Sequence, residues 1–250
     1  GAYAYDIPRI ENVYFDTAYW ANSGLEGAPS GEALTTLNQY VEDNLIAILA
    51  GEQDWGYWYD LNIRHAKYAI LLTAVPDDNY QKLVPGNIAA GKVTTRDVQV
   101  GLYMESVGYP GFELTYSDIE ADEYGLYFAE RPNFEERYPG ISNISYYSNA
   151  TIAISATTFR GGMAGIRTIG VADYGINLND CVFEDWGEYA VWMNGGHFTS
   201  SNGEYNQNSA PLRLESGVKQ VILTGNTFAS ETVVAGGGWS DADPRIRRDD

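Results

Sequence analysis

The sequence is poor in cysteine and contains no long apolar run. Cys181 is the only cysteine among 250 residues, which excludes an intrachain disulfide and argues against a cysteine-based zinc site. We interpret Cys181 as a small buried residue rather than as a nucleophile. No apolar run approaches the roughly 18 residues that a membrane-spanning helix needs, so we expect no insertion into a membrane.

Positive charge is also scarce. Lys and Arg together number 15, against 34 Asp and Glu, which gives a formal net charge of −19. Such a chain repels phosphate backbones and anionic surfaces, so we expect no nucleic-acid partner. The acidity is typical of a soluble protein or of a salty or extracellular setting, and direct cation binding is the second interpretation.

One eight-residue pattern recurs four times between residues 152 and 228. Each copy begins and ends with a large apolar or aromatic residue, and successive copies start 24, 22 and 23 residues apart. The copies are IAISATTF (152–159), INLNDCVF (176–183), FTSSNGEY (198–205) and VILTGNTF (221–228). A strand-like unit with a period in the low twenties indicates a solenoid.

A second short repeat follows the first within each unit. Its copies are YAILL (68–72), YGLYF (124–128), AGIRT (164–168), YAVWM (189–193) and APLRL (210–214). Alternation along a strand directs the first, third and fifth residues of each copy inward. Two strands per coil, stacked at about 4.8 Å, predict an all-β parallel β-helix with coils of about 22–24 residues.

The same alternation predicts three outward columns. The first is small: Ala69, Gly125, Gly165, Ala190 and Pro211. The second is Leu71, Tyr127, Arg167, Trp192 and Arg213, and the third is Thr73, Ala129, Ile169, Asn194 and Glu215. Small residues beside aromatic and arginine side chains would form a shallow groove along the coils.

The pattern is interrupted at three places, for which we predict loop insertions near 17–43, 74–97 and 130–140. Within the first, Ser30 is a plausible N-cap for one short helix, and residues 44–49 form a strand. The second insertion is rich in Pro, Asp, Asn and Gly. We therefore expect one β-helix domain over 1–230, followed by an irregular tail or linker over 231–250.

Three phrases carry a family resemblance: RIENVYFD (9–16), GINLNDCVFEDWGEYAVWM (175–193) and VKQVILTGNTFAS (218–230). They resemble the right-handed parallel β-helix of the pectate-lyase-like superfamily, which includes pectin-degrading enzymes and phage tailspike depolymerases. The resemblance covers roughly residues 7–230 and implies the right-handed fold and a polysaccharide ligand. The Asn-x-Asp, Asp-Asp, Gly-His-Gly series of the family's pectin hydrolases is missing, and Gly195-Gly196-His197 is the nearest approach.

The second and third outward columns supply the candidate substrate-binding residues: Tyr127, Arg167, Trp192 and Asn194. Sugar rings stack on Trp and Tyr, and arginine binds carboxylate or sulfate groups through two parallel hydrogen bonds. The competing interpretation is that a loop or a neighbouring subunit covers Tyr127 and Trp192.

Carboxylates near that face are the candidate acid–base groups. Asp185 and Glu188 lie in the turn before YAVWM, and Glu215 ends the APLRL strand; glycosidases need two carboxylates roughly 5–9.5 Å apart. A lyase would instead use Arg167 or Arg213 to neutralise charge. Ca²⁺ would then be held by an acidic loop such as residues 77–78 or the Asp118/Asp122 pair. No motif requires another cofactor.

The leading hypothesis is an extracellular, cell-surface or virion-surface module that binds a polysaccharide and cleaves it, if at all, as a lyase or glycoside hydrolase. The alternative is a structural subunit that self-associates as a trimer or by end-to-end stacking, because the end of a β-helix is an open sheet edge. Two N-glycosylation sequons, at Asn143 and Asn149, bear on the first hypothesis only in a source that glycosylates surface proteins.

Overall fold

The computed structural model describes residues 3–4, 7–53, 55–76, 82–83, 86–129, 150–170 and 174–249. Two helices, Thr17–Ala21 and Glu32–Asn44, interrupt the strands near the N-terminus. Asp16 caps the first helix by accepting a hydrogen bond from the Ala18 amide, whereas Gly31 rather than Ser30 precedes the second. Among the residues described, neither helix has the length and apolar character needed to cross a bilayer.

The remainder is all-β, and most strands pair in parallel with strands about one sequence period away. Within the described residues they form three columns, A, B and C, because some long strands run from one column into the next. Column A contains Arg9–Phe15, the first parts of Gly56–Leu72 and Gly86–Met104, Gly108–Thr115, Ala150–Ser155, Tyr174–Asn179, the last parts of Tyr189–Ser201 and Leu212–Thr224, and Ile246–Asp249.

Columns B and C complete each repeat. Column B contains Asp118–Glu120, Thr158–Arg160, Val182–Glu184, Glu204–Tyr205 and Thr227–Phe228, with the middle parts of the two long strands that begin at Gly56 and Gly86. Column C contains Ile46–Ala50, the last parts of those two long strands, Tyr124–Ala129, Ala164–Ile169, the first parts of Tyr189–Ser201 and Leu212–Thr224, and Val234–Ala235. Two small pairs lie outside the columns: Tyr3–Ala4 with Glu52–Gln53, and Val75–Pro76 with Lys82–Leu83.

The prediction of two strands per coil is therefore wrong, because each eight-residue copy bends in its middle. A residue with positive φ stands at the same place in eight successive repeats: Asn12, Asp60, Lys92, Tyr116, Ala156, Asp180, Asn202 and Gly225. One left-handed residue turns the chain sharply between columns A and B. Asn and Asp tolerate this conformation better than most residues do, and they occupy four of the eight places.

The repeat supplies the core, as predicted. The opening residues Ile152, Ile176, Phe198 and Val221 are buried and lie in one row of column A. The closing residues of the four copies form a stack with ring centroids 4.8–5.1 Å apart: Phe159, Phe183, Tyr205 and Phe228. This spacing matches the distance between neighbouring strands, so identical positions in successive repeats stack on one another.

Cys181 is buried in this core, as the sequence indicated. Burial raises the pKa of its thiol to about 11. A thiol with that pKa is almost entirely protonated at neutral pH, so Cys181 packs as a small apolar residue.

The predicted small outward column points inward instead. Ala69, Gly125, Gly165 and Ala190 are buried. A Cβ on Gly125 would lie 2.6 Å from the Phe159 ring, and one on Gly165 would lie 2.7 Å from the Phe183 ring. The chain turns again here, between columns B and C, so strict alternation fails for one residue and only small side chains fit against the aromatic stack. Tyr68, Tyr124 and Tyr189, predicted to point inward, are half-exposed on the other side of that turn.

The predicted insertions and C-terminal tail need two corrections. Residues 86–97 belong to the strand Gly86–Met104 rather than to a loop. Their Asn87, Lys92 and Asp97 have positive φ, so residues that form corners were misread as a loop. The segment after residue 230 contributes Val234–Ala235 and Ile246–Asp249, which extend columns C and A rather than forming a wholly irregular tail. The insertion over 130–140, the two sequons and residues 77–78 lie outside the described residues.

Candidate functional site

The strand pairing places the predicted aromatic and arginine residues in one row of column C. Tyr127 pairs with Arg167, Arg167 with Trp192, and Trp192 with Arg213. Tyr103 precedes Tyr127 in the same row. We call these five side chains the C face. Leu71, Thr73 and Ala129, which the alternation also directed outward, are buried; Thr73 donates a hydrogen bond to Glu105, which is itself buried.

Trp192 is covered by its own neighbours. The guanidinium carbon of Arg167 lies 3.0 Å from the indole centroid, and that of Arg213 lies 4.2 Å from it. These arginines stand on the strands before and after Trp192, so each covers one side of the ring. The indole Nε1 donates a hydrogen bond of 3.0 Å to Glu215. Trp192 is only half-exposed, and both arginines occupy ring surface on which a sugar would otherwise stack.

Of the two arginines on the C face, Arg213 has a carboxylate partner. Arg213 Nε donates a 2.8 Å hydrogen bond to Glu215. Burial raises the pKa of Glu215, but the hydrogen bonds from Arg213 and Trp192 outweigh it and leave the pKa below its ordinary value. Burial lowers the pKa of Arg167, and its Nη1 has no hydrogen-bond partner among the described residues.

The tyrosines at the other end of the row are packed in the same way. The rings of Tyr124 and Tyr127 stack at 4.9 Å, and Tyr103 lies 5.1 Å from Tyr127. Asn194, another predicted ligand residue, is exposed and accepts a 3.3 Å hydrogen bond from the Gly170 amide. The C face is thus a filled surface rather than a groove.

Among the predicted catalytic carboxylates, Glu215 lies apart from Glu188. The pairing of Met193 with Leu214 aligns Glu215 with Asn194, six residues beyond Glu188 along the neighbouring strand. At about 3.3 Å per residue this is a separation of roughly 15–20 Å, wider than a glycosidase pair. Asp185 has a φ of 59°, so it is a corner residue of the turn between columns B and C.

The two predicted calcium ligands Asp118 and Asp122 have different surroundings. Asp118 accepts hydrogen bonds from Arg96 at 2.5 Å and from Arg160 at 2.6 Å. Partial desolvation, together with the charges of Glu42, Asp97 and Glu120, raises the pKa of Asp122. Among the described residues, no group of three or more His, Cys, Asp or Glu side chains is arranged to hold a metal ion.

The outer side of column A is more open. Three depressions of about 190, 360 and 380 Å³ lie along it, and Glu113 lines all three. We call this surface the A face, and it consists of two parallel rows. One row is Tyr57, Ala89, Glu113, Ala153, Asn177 and Thr199; the other is Tyr59, Gly91, Thr115, Ser155, Asn179 and Ser201.

One end of the A face carries two exposed tyrosines. Tyr57 is 44 % exposed and Tyr59 is 56 % exposed. A Cβ on Gly91 would lie 3.3 Å from Cδ2 of Tyr59, so the absence of a side chain at Gly91 gives that ring its place on the sheet. The Lys92 ammonium lies 5.9 Å from the ring centroid and 2.9 Å from Asp60. The Tyr59 ring therefore packs beside Gly91 and Lys92, and much of its surface is open to solvent.

The rest of the A face is small and polar. Ala153 and Ser155 leave room above the sheet, and Asn177, Thr199 and Ser201 supply amide and hydroxyl groups. From the strand of Tyr59 to that of Ser201 there are five strand steps, which span about 24 Å at roughly 4.8 Å per step. The surface can accommodate an extended ligand that runs across the strands.

Sequence reasoning missed the A face because it applied the outward alternation only to the second repeat. The same rule applied to YWYDLNI (57–63), FELTYSDI (112–119) and INLNDCVF (176–183) identifies Tyr57, Tyr59, Glu113, Asn177 and Asn179 as outward residues. What the rule does not provide is the contrast between an open and a filled surface. Comparison with known family models, with curated proteins and with solved structures finds no match to this chain.

Proposed function

We propose that this chain is a right-handed parallel β-helix module that binds an extracellular polysaccharide along the A face. Strands of all three columns pair in parallel with strands one repeat away. Connections between parallel strands of one sheet are right-handed in nearly all proteins. These two points support a right-handed solenoid. The pectate-lyase-like superfamily, which the sequence resembles, has the same fold.

The observation that carries the binding proposal is the shape and composition of the A face. Three adjoining depressions share Glu113, two exposed tyrosines stand at one end, and small polar residues follow. Exposed aromatic rings bind the apolar faces of sugars, and hydroxyl and amide groups bind their hydroxyl groups. A surface that repeats with each strand suits a ligand that also repeats.

The observations support polysaccharide binding better than they support cleavage of a glycosidic bond by a pair of carboxylates. Glu11 and Glu113 both line one depression, but three strand steps separate their strands. Their Cα atoms are therefore roughly 14 Å or more apart. Outward side chains stand nearly perpendicular to a sheet, so the carboxylates stay wider apart than the roughly 5–9.5 Å of a glycosidase pair.

Binding of soluble polysaccharides, measured by affinity electrophoresis and calorimetry, tests this proposal. We expect Tyr59→Ala to weaken binding about fivefold, because the loss of an aromatic contact costs about 1 kcal/mol. Tyr40→Ala removes an equally exposed tyrosine from the helix Glu32–Asn44 and is the matched control. Trp192→Ala tests whether binding depends on the C face instead of the A face. Loss of binding in Trp192→Ala with normal binding in Tyr59→Ala would contradict the proposal.

A second candidate function is assembly through the N-terminal end of the columns. In the described part of the chain, Arg9–Phe15 and Ile46–Ala50 each pair along one edge only. Tyr19, Trp20 and Trp55 are exposed in this part of the sequence. An open strand edge with apolar side chains favours self-association. Light scattering that shows only monomer at high concentration would rule out this candidate.

A further inference from the structure

Among the described residues that line the three depressions of the A face, acidic side chains outnumber basic ones. Glu113 is exposed where the three depressions meet. Among the described residues that line them, Arg9 is the one cation, and its Nη1 lies 3.7 Å from Glu11. Lys92, beside Tyr59, is engaged by Asp60 at 2.9 Å. Arg9 and Lys92 therefore each lie beside a carboxylate.

The remaining polar groups of this surface are uncharged. Asn177 and Asn179 are exposed, and Ser155, Thr199 and Ser201 are half-exposed. Amide and hydroxyl groups both donate and accept hydrogen bonds, which matches the hydroxyl groups of a neutral sugar. A carboxylate or sulfate group is normally bound by arginine or lysine, and the A face offers neither in an unpaired state among its described lining residues.

The electrostatic field of the whole molecule acts in the same direction. The chain has a net charge of −19, and a concave surface with an excess of one sign of charge concentrates that field. A polyanion laid along the A face would bring its charges beside Glu113 at each register. An uncharged polymer meets no such repulsion and keeps every hydrogen bond and stacking contact that the surface provides.

Building on the polysaccharide-binding function proposed above, we infer that the ligand of the A face is an uncharged polysaccharide and that Glu113 determines specificity by rejecting anionic polymers. Glu113 acts here by charge and by position. It stands in the row between Ala89 and Ala153, and these small neighbours leave its carboxylate open to any bound polymer.

Matched pairs of polymers that share a backbone and differ in charge test this inference. Three pairs are suitable: dextran and dextran sulfate, hydroxyethyl cellulose and carboxymethyl cellulose, and methyl-esterified and de-esterified galacturonan. We expect a neutral member to bind at least tenfold more tightly than its anionic partner at low ionic strength. The difference should shrink as salt is added, because salt screens exposed charges.

Glu113→Gln is the decisive variant. It replaces the carboxylate by an uncharged amide of similar size and should narrow the ratio between the affinities for the neutral polymer and its anionic partner at least threefold. Glu204→Gln changes the net charge by the same amount at an exposed site in column B and should leave the gap unchanged.

Each other outcome overturns a specific statement. An anionic polymer that binds as tightly as its neutral partner contradicts the ligand class while leaving polysaccharide binding intact. A gap that Glu113→Gln and Glu204→Gln alter equally assigns the selectivity to net charge and removes the role of Glu113. Failure of all six polymers to bind contradicts the proposed function itself, and this inference with it.

Discussion

The A face and the C face are built by the same rule and end as opposite surfaces. Both are outward rows of parallel strands about 4.8 Å apart, and both contain aromatic side chains. On the C face, large residues stand beside large residues, so Trp192 packs between Arg167 and Arg213. On the A face, Tyr59 stands beside Gly91, and its ring stays accessible. The neighbour one repeat away decides whether an outward aromatic ring is open to solvent or packed against other side chains.

The strongest test of this arrangement is a charge placed directly beneath the C face. Val191 is fully buried and immediately precedes Trp192. Val191→Asp would bury an unpaired carboxylate, and we expect a loss of at least about 4 kcal/mol in the free energy of unfolding, or failure to fold. Val191→Ala should cost roughly 1–2 kcal/mol and is the control. Circular dichroism during urea unfolding measures both; an unchanged transition in Val191→Asp would show that the two sides of the strand are assigned in reverse.

An intermediate effect is expected at Trp192. Alternation alone suggests that Trp192→Ala is nearly neutral for stability, but the structure gives the indole two guanidinium contacts and a hydrogen bond to Glu215. We therefore expect Trp192→Ala to lower the free energy of unfolding by about 2 kcal/mol.

Tyr59→Ala provides the comparison on the A face and should change the free energy of unfolding by no more than about 0.5 kcal/mol. The same urea experiment measures both variants. Equal losses in the two variants would mean that the A face is as tightly packed as the C face, and that the distinction between them does not hold.

The smallest effect concerns acid. The folded protein lowers the pKa of Glu215 because hydrogen bonds from Arg213 and Trp192 outweigh the effect of burial. A lowered pKa means that this interaction stabilises the fold above the unfolded pKa of about 4.3. The contribution, less than about 1 kcal/mol for a pair near the surface, is lost as the pH falls through the folded pKa.

As the pH falls below about 4.5, Glu215→Gln should therefore lose less stability than the wild type does, because the variant lacks the carboxylate that takes up a proton. Glu204→Gln, outside the C face, is the control. Melting temperatures between pH 3 and pH 7 measure the effect. An identical pH profile in wild type and Glu215→Gln would contradict the stabilising role of the Arg213–Glu215 pair.

Much of the scaffold could be predicted from the sequence because its physical cause is local and periodic. Buried residues such as Ile152, Phe159 and Phe183 recur at fixed spacing, and each packs on its equivalent in the next repeat. The row from Tyr127 to Arg213 followed from the same spacing. The corners were misread because a single left-handed residue, such as Asp60 or Lys92, resembles loop composition when read alone.

The candidate site was less predictable because it depends on what surrounds each outward residue. Glu215 looked like a candidate acid until the structure showed it bound by Arg213 and Trp192. No feature of the sequence distinguishes Glu113 from the other acidic residues, of which there are 34 in all. Its significance comes from the small residues Ala89 and Ala153 on the adjoining strands, which are 24 and 40 positions away in sequence.

By itself, then, the sequence determined the period, the parallel all-β core and the rows along which outward side chains align. These follow from apolar residues that must be buried at a repeating interval. Only the tertiary structure decided which outward row is filled and which is open. That depends on side-chain volumes at positions one repeat apart, which become neighbours only when the columns stack. The aromatic and arginine residues of the C face therefore pack against one another, whereas Tyr57, Tyr59 and Glu113 stay accessible on the A face.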